Sequence, residues 1–206
     1  MTGTTTKGRL DHRARAQTAA SAAALVTAVS MAVAIGGASR WASGGDPAPV
    51  ISVTAPHVVV IKSKRVLHLL DGDRLLRTYS IDLGNAPVGP KRRLGDGRTP
   101  IGRFRVIAKN ADSPYSRFIG LDYPDIAATE WGLANGLISH GEAASIRLAL
   151  ATGGCPSWST ALGGGIGIHG RRVGRDWTGG CIALADEHME ELFKVLRIGD
   201  PVEILP

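Results

Sequence analysis

From residue 57 onward, apolar and polar positions alternate in short runs instead of recurring every three or four residues, a pattern that predicts strands. Residues 57–61 and 65–70 are β-branched and leucine-rich runs separated by Lys62-Ser63-Lys64, which reads as a hairpin. Asp71-Gly72-Asp73 makes a second turn, and 75–83 alternates as a third strand ending at Gly84. Residues 85–100 are Pro, Gly and charge with few apolar positions, and form a loop. Alternation resumes over 101–108 around Phe104 and Val106. Helical composition first appears at 127–137 and 142–151, where Ser139 followed by Glu142 has the spacing of a capping box. Residues 166–169 are a brief buried strand. Over 186–196, Met189, Leu192, Phe193 and Leu196 fall on one stripe of an amphipathic helix, and Gly199-Asp200 turns the chain into a closing strand at 201–205. The predicted body is one domain, 57–206, mainly β with a few short helices.

The first 56 residues break the pattern. Residues 18–39 carry no charge and hold Leu25, Val26, Val29, Met31, Val33 and Ile35 among many alanines. That length is about the 20 residues a membrane span requires. Residues 1–17 precede it with Lys7, Arg9, Arg13 and Arg15 against Asp11. A basic lead before an apolar run is what the export machinery reads, and it keeps the N-terminus in the cytoplasm. The run is therefore an export signal or a transmembrane anchor. Small residues around 32–34 and 37–39 suit a signal peptidase, whereas the length of the run and its long lead suit retention. Residues 40–56, with Gly44, Gly45, Pro47, Pro49 and Pro56, read as a linker. The body is expected on the extracytoplasmic, periplasmic side, tethered to the membrane by the N-terminal segment or released from it.

Charge sharpens this division. The chain has 24 Lys plus Arg against 18 Asp plus Glu, a net +6 that by itself suggests an anionic partner such as nucleic acid. Most of the excess sits before residue 41, and the body carries 19 basic and 17 acidic residues. A nearly balanced domain has no nucleic-acid footprint. Hydrophobic residues at 44% exclude a disordered chain, and 27 Gly with 11 Pro suit a turn-rich β body rather than a helical bundle.

Candidate chemistry begins with the two cysteines, Cys155 and Cys181, both in the exported part. The default for such a pair is a disulfide. Cys181 has a second reading, because it follows Gly179 and Gly180 at a turn before a helix. There, free backbone N–H groups stabilise a developing oxyanion, and missing side chains let a carbonyl approach. A thiol nucleophile also needs a base, and His169 stands twelve residues earlier at the end of an apolar strand. A histidine in that place is equally read as a structural residue.

The stretch Ile166-Gly167-Ile168-His169-Gly170, then Asp176-Trp177-Thr178-Gly179-Gly180-Cys181-Ile182-Ala183-Leu184, then residues 198–204 resembles the signature of the L,D-transpeptidase (YkuD-like) catalytic domain, a cysteine peptidoglycan enzyme family. Gly89-Pro90-Lys91, Gly95-Asp96, Arg98-Thr99-Pro100, Gly102 and Phe104 match its upstream loop and strand, and the resemblance spans roughly 58–205. It is nearest to the branch that reads Asp-Trp-Thr-x-Gly-Cys-Ile-Ala. The resemblance implies a β-sandwich or barrel domain acting on peptidoglycan stem peptides without metal or cofactor. Cys181 resembles the family's nucleophile and His169 its base, with Gly180 and Cys181 giving oxyanion N–H groups. Gly170, Arg171, Thr178 and Tyr115 are the implied substrate-binding positions, with Ser116 beside Tyr115. Asp176 and Trp177 would orient the loop before Cys181, and Arg98-Thr99-Pro100 would be a rigid support.

Three departures from the family's commonest pattern bear on the reaction. Gly179 replaces a frequent His, Ala183 replaces a frequent Arg, and the loop from His169 to Thr178 is short. Transpeptidation, carboxypeptidation and link hydrolysis all stay open on this basis. Arg171, Arg172 and Arg175 are candidates to replace the lost charge by gripping a stem-peptide carboxylate. A Cys155–Cys181 bridge would instead make the domain a silent wall-binding module.

Overall fold

The computed structural model describes residues 53–206, so the basic lead, the apolar run at 18–39 and the linker up to residue 52 lie outside the described residues. β1 (Pro56–Ile61) and β2 (Val66–Asp71) form the expected hairpin, with Ile61 opposite Val66. Its alternation sends Val58, Val60, Leu67 and Leu69 inward, all essentially without solvent exposure. Gly72, at φ +56, makes the two-residue turn into β3 (Arg74–Ser80). The third strand was expected to run to Leu83. It stops at Ser80, because the next residues leave β2 and Asp82 pairs with Ala183 on the other side of the molecule.

β4 (Gly102–Ser113) is longer than the predicted 101–108 and serves two neighbours in turn. Gly102 to Arg105 pair with β8 (Pro201–Leu205), and Val106 to Ser113 pair with β5 (Ser116–Leu121), with register shifts between Val106 and Ala108 and between Asn110 and Ser113. β8, the last element of the chain, lies between β1 in parallel and β4 antiparallel. Beyond β5 follow β6 (Gly167–His169) and the two-residue β7 (Ile182–Ala183), parallel to each other. The order is β3-β2-β1-β8-β4-β5-β6-β7. Asp82, just past β3, exchanges both backbone hydrogen bonds with Ala183 of β7 (2.9 Å each), and Gly84 bridges Thr178, so among the described residues two bridges join the curled sheet end to end. Such closure removes the unpaired edge that an open sheet would expose there.

Three short helices cover the sheet. α1 (Ile126–Ala134) is capped by the Asp125 side chain accepting from Ala128 N–H, and α2 (His140–Ala151) carries the expected reciprocal capping box of Ser139 and Glu142. They enclose a small cluster of Ile138, Ala143, Ile146 and Leu162. α3 (Asp186–Val195) buries Met189 and Leu192, with Leu196 just beyond it, against the main core of Ile119, Ile168 and Ile182. Each of those side chains contributes about 1.5–3 kcal/mol on burial. Among the described residues no helix is long and apolar enough to cross a membrane.

Candidate active site

Strand register brings the two predicted reactive side chains to one face. In the parallel β6–β7 pair Ile168 lies opposite Ile182 and His169 opposite Ala183. Ile168 and Ile182 point into the core, so the residues flanking them, His169 and Cys181, point to the other face as diagonal neighbours. The position opposite Cys181 in this register is Gly167, where a Cβ would lie 2.4 Å from Ile119 O. His169 and Cys181 line the same cleft of about 340 Å³, together with Tyr115, Trp177, Thr178 and Gly179.

The imidazole is held on three sides. Its ring centre is 4.8 Å from that of Tyr115 and 5.8 Å from that of Trp177, the latter edge-on. His169 Nδ1 lies 2.7 Å from Gly170 O. A carbonyl oxygen only accepts, so Nδ1 carries the proton and Nε2 keeps its lone pair. Burial pushes the His169 pKa below the ordinary histidine value, against the smaller opposing effect of the Gly170 carbonyl. Cys181 Sγ donates to Gly165 O at 3.5 Å. Burial raises the Cys181 pKa above the usual thiol value, more than the Gly167 N–H beside the sulfur lowers it. The resting pair is therefore neutral, a thiol beside an unprotonated base.

Backbone donors complete the cleft. Cys181 N–H makes no hydrogen bond among the described residues. The companion N–H expected from Gly180 is already donated to Thr178 Oγ1 at 3.1 Å, and that hydroxyl in turn donates to Cys181 O at 2.7 Å. Thr178, 2% exposed, thus fixes the turn that carries Cys181. Gly180 is required by its surroundings, for its φ is +140 and a Cβ would stand 2.7 Å from Arg98 O. The Arg98-Thr99-Pro100 loop is accordingly a floor beneath the turn. Lys62 anchors it by donating from Nζ to Gly89 O (2.7 Å) and Thr99 O (2.6 Å), and Thr99 Oγ1 accepts from Gly84 N–H. Asp96 ties the rest of the loop, through Lys91 Nζ at 2.8 Å and the backbone N–H groups of Arg92, Arg93 and Arg98.

The remaining predicted residues fall into two groups. Asp176 orients the loop before Cys181 as expected, pairing with Arg65 at 2.6 Å and accepting from Leu83 N–H. Burial opposes its charge, but those donors outweigh burial and hold its pKa low. Tyr115 lines the cleft, and its carbonyl accepts Gly170 N–H at 2.9 Å. Gly170 has no room for a side chain: a Cβ would be 2.3 Å from Asp186 Oδ1. Of the three arginines, Arg172 is engaged by Asp82 at 3.3 Å, while Arg171 and Arg175 enter no ion pair among the described residues. Cys155 and Cys181 are both free thiols, so the bridge weighed for them is not formed.

Three supporting residues escape a reading of the sequence. Lys62 looks like a turn residue, Asp82 like an outward position of β3, and Asp186 like an ordinary first-turn acid. In the structure Asp82, 2% exposed, accepts the N–H groups of Val173 (2.7 Å) and Gly174 (3.0 Å), and Asp186 accepts Arg171 N–H at 2.7 Å. The hint was an acid in the first turn of a helix and another flanked by Ile81 and Leu83, but their partners lie 15 and about 90 residues away.

With this geometry in place, a sequence profile of the YkuD L,D-transpeptidase catalytic domain matches residues 55–204. The chain belongs to this family. Its fold recurs in the helical cell shape determining protein Pgp2 from Campylobacter jejuni, with TM-score 0.51 and 22% identity over 74% of this chain and 48% of that chain. A point mutant of the same Pgp2 gives 0.50 and 23% over 74% and 47%. An L,D-transpeptidase from Mycobacterium smegmatis gives 0.44 and 12% over 73% and 58%. The YkuD domain described here thus spans about half the length of these solved chains. No curated protein matches the chain. The YkuD profile covers β1 to β8 and so includes both His169 and Cys181.

Proposed function

We propose that the protein is an extracytoplasmic L,D-transpeptidase, of the branch reading Asp-Trp-Thr-x-Gly-Cys-Ile-Ala, that transfers peptidoglycan stem peptides to an amine acceptor during wall assembly or remodelling. The observation that carries this reading is the neutral Cys181–His169 pair in one cleft, with the imidazole lone pair forced to Nε2 by Gly170. In the first half-reaction His169 Nε2 takes the Cys181 proton as the sulfur attacks the carbonyl preceding the terminal D-residue. Cys181 N–H stabilises the oxyanion. The C–N bond then breaks, the imidazolium returns its proton to the leaving amine, and a thioester remains. In the second half-reaction the acceptor amine attacks the thioester and gives a proton to His169. Collapse expels the sulfur, which regains that proton.

The export segment at 18–39 fits this reading, since the substrate lies outside the cytoplasmic membrane. Incubation of the full chain with tetrapeptide muropeptides tests it. New crosslinks, or exchange of the terminal D-residue for an added D-amino acid, are expected, and both are expected to vanish in Cys181→Ala. Tripeptide alone would mean that water is the acceptor and would overturn transfer. A carbapenem, a strained acyl donor, is expected to add its full mass to the wild type and nothing to Cys181→Ala.

A further inference from the structure

The segment 171–175 between His169 and Asp176 is short, yet it is held at several points. Asp82 accepts two of its backbone N–H groups and pairs with Arg172. Asp186 accepts a third N–H, that of Arg171, at 2.7 Å. Arg171 itself has φ +62, a left-handed conformation that a non-glycine residue adopts at a cost. This anchoring turns Arg172 towards Asp82. Arg171 and Arg175 are presented the other way, onto a cavity of about 260 Å³ whose remaining walls are Tyr115, Val173 and Trp177. The Arg171 guanidinium carbon lies 5.8 Å from the centre of the Tyr115 ring.

Three features make this cavity a ligand site rather than a surface hollow. None of its walls is acidic, and neither arginine has an ion-pair partner among the described residues. Nine other cation–carboxylate contacts exist in the same domain, so acids are available, but none is placed here. Finally, Tyr115 and Trp177 are also the two rings that flank His169 in the cleft, so the two cavities are lobes on either side of one aromatic wall. A group bound in the second lobe therefore lies next to the cleft that holds Cys181.

We infer that this lobe binds a carboxylate carried on an apolar arm of the reacting peptide, with Arg171 and Arg175 as the gripping residues. The guanidinium fork matches a carboxylate in two parallel hydrogen bonds, and the faces of Tyr115, Trp177 and Val173 suit the methylenes that lead to it. This inference rests on the proposed acyl transfer, and it assigns to the segment 171–175 the selection of substrate. The carboxylate has two sources, the donor peptide and the acceptor amine.

Two arms distinguish them. In the first, binding of an acetylated stem tetrapeptide to full-length Cys181→Ala is compared with that of the same peptide amidated at its diamino-acid carboxylate. In the second, the wild-type protein transfers the tripeptidyl group of the tetrapeptide to D-methionine or to D-methioninamide, with release of the terminal D-residue. In one arm the carboxylate form is expected to be preferred, and Arg171→Gln/Arg175→Gln is expected to cut that preference about tenfold or more while leaving the amidated probe's behaviour as it was. No preference in either arm, or a preference that survives the double substitution, overturns the subsite. Carboxylate-selective binding without any turnover would uphold the subsite and sink the transferase. Turnover that ignores the arginines would do the reverse. If neither peptide binds, both fail.

Discussion

The Nδ1–H of His169 is spent on the carbonyl oxygen of its own neighbour Gly170, 2.7 Å away, so the nitrogen left with a free lone pair is selected by the backbone rather than by an acidic side chain. A neutral acceptor does not stabilise the imidazolium as a carboxylate would, and burial disfavours it further. The imidazole therefore remains a base as pH falls through the ordinary histidine value near 6.5. The acid limb of kcat/KM is expected to inflect below pH 6.5, and an inflection above it would contradict the neutral pair. By the same reasoning, the rate of Cys181 alkylation by iodoacetamide is expected to keep rising past pH 9, because burial holds the thiol protonated.

Thr178→Val removes the hydroxyl that joins Gly180 N–H to Cys181 O. With both partners buried or half-buried, the loss is expected to cost about 1–3 kcal/mol in denaturant unfolding. A fall in kcat larger than any rise in KM would show that the turn positions the nucleophile. Thr178→Ser, which keeps the oxygen, is expected to recover most of the loss.

Gly180→Ala places a methyl group 2.7 Å from Arg98 O at a backbone angle that L-residues rarely adopt. Strain of about 1–3 kcal/mol is expected, together with a turn displaced from its floor. The measurement is the thioester yield by intact mass on a domain whose residual stability is checked by melting. Wild-type acylation in this variant would show that the turn tolerates the shift.

Lys62 is 3% exposed, and burial, aided by Arg65 and Arg98, lowers its pKa from 10.5 to about 8. Between those values the unfolded chain holds a proton that the folded chain has released, so folding stability gains with rising pH. A neutral amine still has two N–H groups for Gly89 O and Thr99 O. The stability of the wild type relative to Lys62→Met is expected to climb from pH 8 towards 10.5 and to be flat below 8. A flat difference throughout would show that the lysine is not desolvated.

Asp82→Ala leaves the N–H groups of Val173 and Gly174 without their acceptor and releases Arg172. A loss of about 1–3 kcal/mol is expected. KM for the peptide donor is expected to rise more than kcat falls, because the wall of the second lobe is loosened while His169 and Cys181 stay on their strands.

The parts of the fold that could be read in advance are those set by neighbours in sequence. Val58 and Val60, Leu67 and Leu69, and Met189 and Leu192 each repeat with the period of their element, and Ser139 caps a helix through Glu142 three residues on. β5 was not expected, since Pro114 and Arg117 interrupt its apolar run and Gly120 weakens it. β7 has only two residues and no period to detect. His169 and Cys181 were legible because each sits in a local motif. The Thr178 hydroxyl, expected as a binding group, lines the cleft and also ties a turn. Lys62, Asp82 and Asp186 reach across 15 to about 90 residues, and no local pattern encodes such a reach.

Asp82 works at two scales at once. Its backbone makes one of the two bridges that join the ends of the curled sheet, and its carboxylate latches the segment that walls the second lobe. Until Asp82 has met both Ala183 and the segment 171–175, the chain lacks this link across the sheet and the latched wall of the second lobe alike.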